Sequence, residues 1–164
     1  MDMVDGGAPA QPRRAVRVLL IDPDDRVLLL LAADPARPDE PYWYTPGGGI
    51  EDDETLPACG VREVYEETGL RLLPGDLTGP VWHDRVEFSL DGRRYRQRQE
   101  YFTARSAGGA VAPPGLTDVE VRSWRGFRWW SAEELAATAD RVYPAGLDRL
   151  LGSLRAVAGE RRGR

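Results

Sequence analysis

The sequence predicts an α/β domain, in which strands come first, one helix lies between them, more strands follow, and helices come last. Three observations support this order. Two apolar, β-leaning runs near the N-terminus are separated by a turn. A helix-forming segment with a cap and a terminal glycine follows them. A second strand pair then precedes an amphipathic C-terminal helix.

The first strands are predicted at residues 14–21 and 26–31, as a hairpin around the turn sequence Asp22-Pro23-Asp24-Asp25. A short aromatic strand at residues 42–45 leads into the glycine-rich loop Pro46-Gly47-Gly48-Gly49. Glycine lets the backbone approach a metal or a phosphate closely, so this loop is either a binding element or an ordinary turn.

The next element is a helix that either Asp53 or Thr55 caps. Pro57 is tolerated in its first turn, and Gly69 stands where a left-handed glycine commonly ends a helix. We therefore expect the helix to occupy the segment between these residues.

Residues 77–90 and 93–105 are predicted as a second hairpin, because they flank the turn dipeptide Asp91-Gly92. Residues 106–117 are rich in Ala, Gly and Pro and are predicted as a loop. Residues 119–130 have strand character again.

The last elements are helical. The capping box Ser131-x-x-Glu134 opens a short helix. Residues 144–158 carry leucines at helical spacing, which predicts an amphipathic helix that covers the second face of the sheet.

Length and composition fit one domain. In a chain of 164 residues we expect flexible tails at residues 1–14 and 159–164 around a domain at residues 15–158. The net charge of −5 argues against nonspecific nucleic-acid binding, and no apolar run approaches the ~20 residues that cross a bilayer. We therefore expect neither nucleic acid nor a membrane as partner. The single cysteine, Cys59, is compatible with a cytoplasmic location.

Three glutamates carry the candidate chemistry. Glu63, Glu66 and Glu67 stand three and four residues apart, so they share one face of the predicted helix. Carboxylates this close repel each other unless cations intervene, and Mg²⁺ and Mn²⁺ prefer oxygen ligands. A solvated acidic face is the plain alternative. The glycine loop in front of the helix favours the metal site.

The segment from Gly48 to Leu70 resembles a complete Nudix box, with Gly48, five residues, Glu54, seven residues, and then Arg62-Glu63-Val64-x-Glu66-Glu67-x-Gly69-Leu70. The Nudix family cleaves a diphosphate joined to another moiety, commonly a nucleoside. The resemblance implies an α/β/α sandwich with a mixed β-sheet and a divalent-metal-dependent pyrophosphohydrolase.

The resemblance also implies roles for single residues. Glu63, Glu66 and Glu67, with the main-chain carbonyl of Gly47, would bind Mg²⁺ or Mn²⁺. The box residues with a structural role would be Gly48, Glu54, Arg62 and Gly69. A glutamate would act as general base, and family members differ in which one does so. Catalysis is accordingly expected from Glu63, Glu66 and Glu67, with a fourth carboxylate from outside the box.

That fourth carboxylate is expected to be Glu100, with Glu87 as a weaker rival, and a polar strand face is the alternative for both. For the substrate, the candidates are side chains that stack on a base or sugar, namely Trp43, Tyr44, Trp82, His83 and Tyr95. Arginines that reach phosphates are the other candidates, namely Arg85, Arg96 and Arg98.

The substrate class stays open at this stage. Neither the proline nor the tyrosine that marks certain subfamilies is evident after the box, where Arg85 and Val86 stand. We expect a small nucleotide-type substrate: a nucleoside triphosphate, a nucleotide sugar or an ADP-ribose type compound. The alternative is a nucleotide-binding sensor of the same fold without catalysis. A homodimer is expected from the family alone.

Overall fold

The computed structural model describes residues 8–163, without the side chains of residues 157, 161 and 162. The strands are β1 (Gln11–Ile21), β2 (Val27–Ala32), β3 (Tyr42–Tyr44), β4 (Gly47–Gly49), β5 (Thr78–Leu90), β6 (Arg93–Arg105), β7 (Trp124–Trp130) and β8 (Val142–Tyr143). The helices are α1 (Leu56–Thr68), α2 (Asp118–Ser123), α3 (Ala132–Ala137) and α4 (Leu147–Arg162). No helix within the described residues is long and apolar enough to span a membrane.

The strands form one mixed sheet with the order β5-β6-β1-β2-β3-β8, while β4 pairs with β1 and β7 pairs with β2. β1 and β6 run parallel over their whole length, from Gln11 opposite Tyr95 to Ile21 opposite Arg105. β5 and β6 are antiparallel around the Asp91-Gly92 turn, as predicted. The mixed sheet expected from the sequence is confirmed.

The predicted N-terminal hairpin pairs only at its turn. Ile21 is opposite Val27, and the two strands then diverge. β4 continues beside β1, and β3 and β7 flank β2. The divergence follows because each strand forms its remaining ladder bonds with a partner that is distant in sequence.

Helices cover both faces of the sheet. The side chains between the sheet and α1 include Val16, Val18, Leu20, Leu28, Leu30, Val64 and Phe102. Those between the sheet and the C-terminal helices include Leu19, Leu29, Tyr101, Trp130, Leu135, Leu147 and Leu151. Buried apolar area on both faces provides the main stabilisation, and it confirms the expected α/β/α arrangement.

Helix α1 begins and ends as its sequence predicts. Thr55 is the N-cap, and its hydroxyl oxygen accepts from the backbone N–H of Ala58 at 3.2 Å. Gly69 ends the helix in the left-handed conformation at φ +76°, and its N–H donates to the carbonyl of Tyr65. Of the two possible caps, the structure therefore has Thr55.

Several element bounds differ from the sequence prediction, most of them by one to four residues. β1 begins at Gln11 because residues 11–14 pair with β6, and α4 continues to Arg162. Residues 119–130 were predicted as one strand, which is wrong for the first part: α2 precedes β7 there. Of the predicted tails, residues 1–7 and 164 lie outside the described part of the chain.

Candidate active site

Three carboxylates meet at the N-terminal edge of the glycine strand β4. Glu63, Glu67 and Glu120 each place one oxygen within 4.8 Å of the other two. Glu63 and Glu67 lie one turn apart on α1, and Glu120 comes from α2. We call these three residues the glutamate cluster. All its donors are carboxylate oxygens, the ligand type that hard divalent cations prefer.

Glu67 is the most deeply buried member. Its side chain is almost completely covered, with a relative exposure of 2%, and its Oε2 accepts from the N–H of Gly47 at 2.8 Å. Burial, and then the charge of Glu63, raise the pKa of Glu67 well above its usual value. A cation at the cluster would offset both effects.

Glu63 lies directly behind the glycine strand. A Cβ atom at Gly48 would stand 2.5 Å from Glu63 Oε1, so only glycine leaves room for this carboxylate. Burial raises the pKa of Glu63, and the neighbouring Arg62 guanidinium, whose Nη1 lies 2.9 Å from Oε1, opposes the shift. The absence of a side chain at Gly48 leaves space for Glu63, which is compatible with the structural role predicted for Gly48.

Glu120 was not among the site residues predicted from the sequence. Its Oε2 accepts from the N–H of Thr117 at 2.6 Å, while its own N–H donates to Thr117 Oγ1 at 3.3 Å, and this reciprocal pair is a capping box. The pattern Thr117-x-x-Glu120 has the same form as Ser131-x-x-Glu134, which correctly predicted α3. The sequence therefore contains the capping box that predicts α2. Because residues 119–130 were predicted as a strand, Glu120 was not considered as a helix residue.

Arg62 and Glu54 join the loop to the helix. Arg62 Nε donates to Glu54 Oε1 at 2.6 Å and its Nη2 to Glu54 Oε2 at 2.9 Å, a two-pronged ion pair. The same Nη2 also donates to the carbonyl of Gly49. The hydrogen bond from Arg62 lowers the pKa of Glu54. This geometry supports the structural role expected for both residues.

Glu66, a predicted ligand, lies outside the glutamate cluster. Its side chain is 36% exposed, and its Oε2 accepts from Arg62 Nη1 at 3.2 Å. Its methylene groups pack on Gly115, where an added Cβ would lie 2.9 Å from Glu66 Cγ. Glu66 lines a second, smaller groove together with Glu63 and Glu120, and its role as a ligand stays a prediction.

Gly47 contributes its backbone to this site in two ways. Its N–H orients Glu67, as described, and its carbonyl accepts from Arg17 Nη1 at 3.0 Å. Arg17 Nη1 also contacts the carbonyl of Thr45 at 3.3 Å. A carbonyl oxygen has two lone pairs, so the predicted metal contact of Gly47 stays compatible with the contact to Arg17.

Glu100 and Glu87 are not brought into the glutamate cluster. Glu100 pairs with Arg14 at 3.3 Å, and Glu87 pairs with Arg96 at 3.0 Å on the exposed face of the β5–β6 hairpin. The structure thus shows ion pairs for both residues, and their catalytic role stays a prediction.

A cleft of about 850 Å³ opens beside the glutamate cluster. Its walls include Gly47, Gly48, Glu67 and Glu120, together with Arg13, Arg17, Tyr44, Trp82, Asp84, Phe88, Arg94, Tyr95, Gln97, Gln99 and Tyr101. We call this cavity the cleft. It is large enough for a nucleotide-sized ligand, and it combines aromatic surfaces with guanidinium groups.

Arg85, Arg96 and Arg98, which were predicted to reach phosphates, do not line the cleft, and their substrate role stays a prediction. Arg85 and Arg98 are directly opposite each other across β5 and β6, on the face of the sheet away from the cleft. Arg96 shares that face. Side chains alternate along a strand, so the cleft receives the neighbouring residues instead.

The predicted aromatic residues lie in different places. Trp43 packs edge-on against Trp130 in the core, with ring centroids 5.1 Å apart, and its Nε1 donates to Asp140 Oδ2 at 3.0 Å. Tyr44 lines the cleft. Of the predicted substrate residues, Tyr44, Trp82 and Tyr95 are therefore the ones that line the cleft.

Comparison with known proteins agrees with this architecture. The family model described as NUDIX domain matches residues 11–150. The RNA pyrophosphohydrolase of Cereibacter sphaeroides is 31% identical over 143 residues, which cover 76% of this chain and 79% of the relative.

Solved structures show the same fold. The MutT protein from Methanosarcina mazei superposes with a TM-score of 0.61 at 21% identity, covering 93% of this chain and 99% of that one. The Escherichia coli dihydroneopterin triphosphate pyrophosphohydrolase gives a TM-score of 0.61 at 19% identity, covering 88% of this chain and 97% of that one. The glutamate-bearing helix, the glycine strand in front of it and the family match together establish that this chain belongs to the Nudix hydrolase family.

Proposed function

We propose that this chain is a divalent-metal-dependent pyrophosphohydrolase that cleaves the diphosphate linkage of a nucleoside diphosphate joined to another group. The observation that carries the proposal is the glutamate cluster, two members of which, Glu67 and Glu120, line a cleft with aromatic and guanidinium walls. The name of the Cereibacter sphaeroides relative, an RNA pyrophosphohydrolase, supports the reaction type.

The residues present fit a divalent cation. Glu63, Glu67 and Glu120 would hold it. Burial is the main cause of the raised pKa values of Glu63 and Glu67, repulsion from neighbouring carboxylates adds to it, and a cation would offset both effects. Mg²⁺ or Mn²⁺ is the cation we propose, because the donors are oxygen atoms. Such a cation supplies charge neutralisation on the phosphate oxygens and activates water for attack at phosphorus.

Arg13 is placed to bind the phosphates. It borders both the cleft and the smaller groove, and within the described residues it has no carboxylate within 4.0 Å. Burial, and then the charge of Arg17, lower the pKa of Arg13. A phosphate would offset this repulsion through charge-assisted hydrogen bonds. Arg17 acts differently, since it holds the carbonyls of Thr45 and Gly47 in place.

The proposal is tested by a hydrolysis screen over nucleoside triphosphates, nucleotide sugars and ADP-ribose with Mg²⁺ or Mn²⁺. Glu67→Gln keeps an oxygen for the Gly47 N–H and removes the negative charge, so turnover should fall by about a thousandfold or more. The matched control is Glu133→Gln, because Glu133 is 77% exposed on α3. Ligand binding without any turnover in the wild type would favour the sensor alternative instead.

A 5′-triphosphorylated RNA is a second candidate substrate, favoured by a row of arginines. Arg14, Arg98 and Arg85 are successive neighbours across β1, β6 and β5. Arg85 and Arg98 have no carboxylate within 4.0 Å among the described residues, and Arg14 also lines the groove beside Glu63. A row of positive charges attracts a polyanion such as RNA.

The RNA candidate predicts a specific loss. In an Arg85→Gln, Arg98→Gln variant, kcat/KM for 5′-triphosphorylated RNA should fall and should depend less on the salt concentration. Hydrolysis of a free nucleoside triphosphate should be unchanged. Arg125→Gln is the control, because Arg125 is exposed on β7. Equal effects of both variants on RNA would remove this candidate.

A further inference from the structure

A ladder of polar side chains faces the cleft along β6. Gln97, Gln99 and Tyr101 alternate along the strand, and Asp84 on β5 is directly opposite Gln99. All four residues line the cleft, and Gln97 is fully buried. The mechanism proposed above does not use this ladder.

The hydrogen bonds of the ladder fix its orientation. Arg17 Nε donates to Gln99 Oε1 at 3.1 Å, so the amide nitrogen of Gln99 points the other way and donates to the Tyr101 hydroxyl at 2.8 Å. Tyr101 in turn donates to Asp84 Oδ2 at 3.4 Å. Because a guanidinium only donates, neither glutamine amide can be reversed without losing a bond.

The same constraint fixes the orientation of the Gln97 amide. Its amide nitrogen donates to Gln99 Oε1 at 2.8 Å, so its own carbonyl oxygen is left over. Within the described residues, Gln97 Oε1 and Asp84 Oδ1 are covered from solvent and have no hydrogen-bond partner. The ladder therefore ends in two acceptor oxygens, at a cleft wall where aromatic rings such as Trp82 and Tyr95 also lie.

Two unpaired acceptors select a ligand with N–H donors and reject one with acceptors. Guanine carries two neighbouring donors on one edge, N1–H and the 2-amino group. Adenine and cytosine carry one amino group beside a ring acceptor, and uracil carries one N–H between two carbonyls. The same 2-amino-4-oxopyrimidine edge occurs in pterins.

We propose that Asp84 and Gln97 form a recognition subsite for a 2-amino-4-oxopyrimidine edge, as in guanine, and that this subsite sets the substrate class. A bound ring would pair with the two oxygens after the side chains of Asp84 and Gln97 turn toward the cleft that both residues line. This turn breaks the hydrogen bond from Gln97 to Gln99, and the new hydrogen bonds to the ring offset that loss. The inference rests on the proposed function for its kinetic consequence, whereas its binding consequence is independent of catalysis.

The binding test uses Trp82 in the cleft wall as a fluorescence reporter for the metal-free protein. GMP should bind about tenfold more tightly than IMP, which lacks the 2-amino group, and more tightly than AMP. Neopterin distinguishes the two sources of the edge: binding tighter than GMP assigns a pterin, and weaker binding assigns guanine. Equal affinity for GMP, IMP and AMP would overturn the proposal.

The variant test is Asp84→Asn, which replaces one acceptor oxygen with an amide that donates. The preference for GMP over AMP, measured as the ratio of their dissociation constants, should fall about tenfold. Asp24→Asn is the control, because Asp24 is 77% exposed in the β1–β2 turn. If Asp84→Asn unfolds, Gln97→Met provides the second variant with the same expected loss.

Kinetics then separate the two proposals. Metal-dependent hydrolysis of GTP above ITP and ATP supports both. Hydrolysis of all three at equal kcat/KM overturns the subsite and leaves the pyrophosphohydrolase intact. Selective GMP binding without hydrolysis of any nucleotide supports the subsite and refutes the proposed function.

Discussion

Glu67 should make the metal-free protein less stable than a variant that lacks its charge. In wild type, one oxygen of Glu67 and one of Glu63 lie within 4.8 Å of each other, and Glu67 is 2% exposed. At that separation, two unit charges repel by about 3.5 kcal/mol for an effective dielectric constant of ~20. Protonation of one carboxyl in wild type already relieves part of this repulsion. Removing the charge of Glu67 should therefore raise the free energy of unfolding by about 2 kcal/mol.

Glu67→Gln removes the repulsion with little change in shape. The amide oxygen still accepts from the N–H of Gly47, and the new amide nitrogen faces the carboxylate of Glu63. In a chain of this size, about 2 kcal/mol corresponds to a Tm increase of roughly 4–8 °C. The loss of activity and the gain in stability should occur in the same variant.

The pH dependence has a definite sign. The pKa of Glu67 in the folded protein lies above its unfolded value of about 4.3, so the folded state holds the proton longer. Wild-type stability should therefore fall as the pH rises above about 4.3, while Glu67→Gln lacks this loss. The difference between the two proteins should be absent below that pH and grow above it.

The assay is thermal unfolding of wild type and Glu67→Gln in EDTA and in excess Mg²⁺, between pH 4 and pH 8. Mg²⁺ should stabilise wild type more than the variant, because only the wild type has the full glutamate cluster. A variant that is less stable than wild type in EDTA at pH 7 would refute the reasoning, since Glu67 would then be a stabilising group.

Three further predictions concern the neighbours of this cluster. Gly48→Ala should cut turnover about tenfold or more with a small change in Tm, because its Cβ would displace the Glu63 carboxylate at the end of a flexible side chain; steady-state kinetics and thermal unfolding measure both. Arg62→Leu should lower the free energy of unfolding in urea by about 2 kcal/mol, because Glu54 and Glu63 lose their partner; an unchanged midpoint would contradict this. Cys59 should not react with a thiol reagent at pH 8 until the protein unfolds, since it is fully buried and burial raises its pKa to about 12; rapid labelling of the native protein would show that it is accessible.

The spacing of residues along the sequence predicted the features that depend on local structure. The cap at Thr55, the C-terminal Gly69 and the shared face of Glu63 and Glu67 follow from helical periodicity and capping chemistry within a few residues. The Asp91-Gly92 turn likewise fixed the β5–β6 hairpin. These features depend on neighbours in sequence, so a sequence alone suffices for them.

The features that the sequence did not predict depend on contacts between segments that are distant in the chain. Which face of the β5–β6 hairpin lines the cleft depends on its pairing with β1, so Arg85 and Arg98 could not be assigned to a face from their own segment. Glu120 reaches the cluster across more than fifty residues from Glu67, and only the chain path places it there. The expected cytoplasmic location and homodimer stay predictions.

The most direct test of the central claim uses Glu120, which the structure alone adds to the site. The measurement is the rate of nucleotide hydrolysis as a function of Mg²⁺ concentration, for wild type and Glu120→Gln. If Glu63, Glu67 and Glu120 hold the cation together, the variant should need at least about tenfold more Mg²⁺ and should turn over more slowly. An unchanged Mg²⁺ dependence and an unchanged rate would contradict the glutamate cluster as the catalytic metal site.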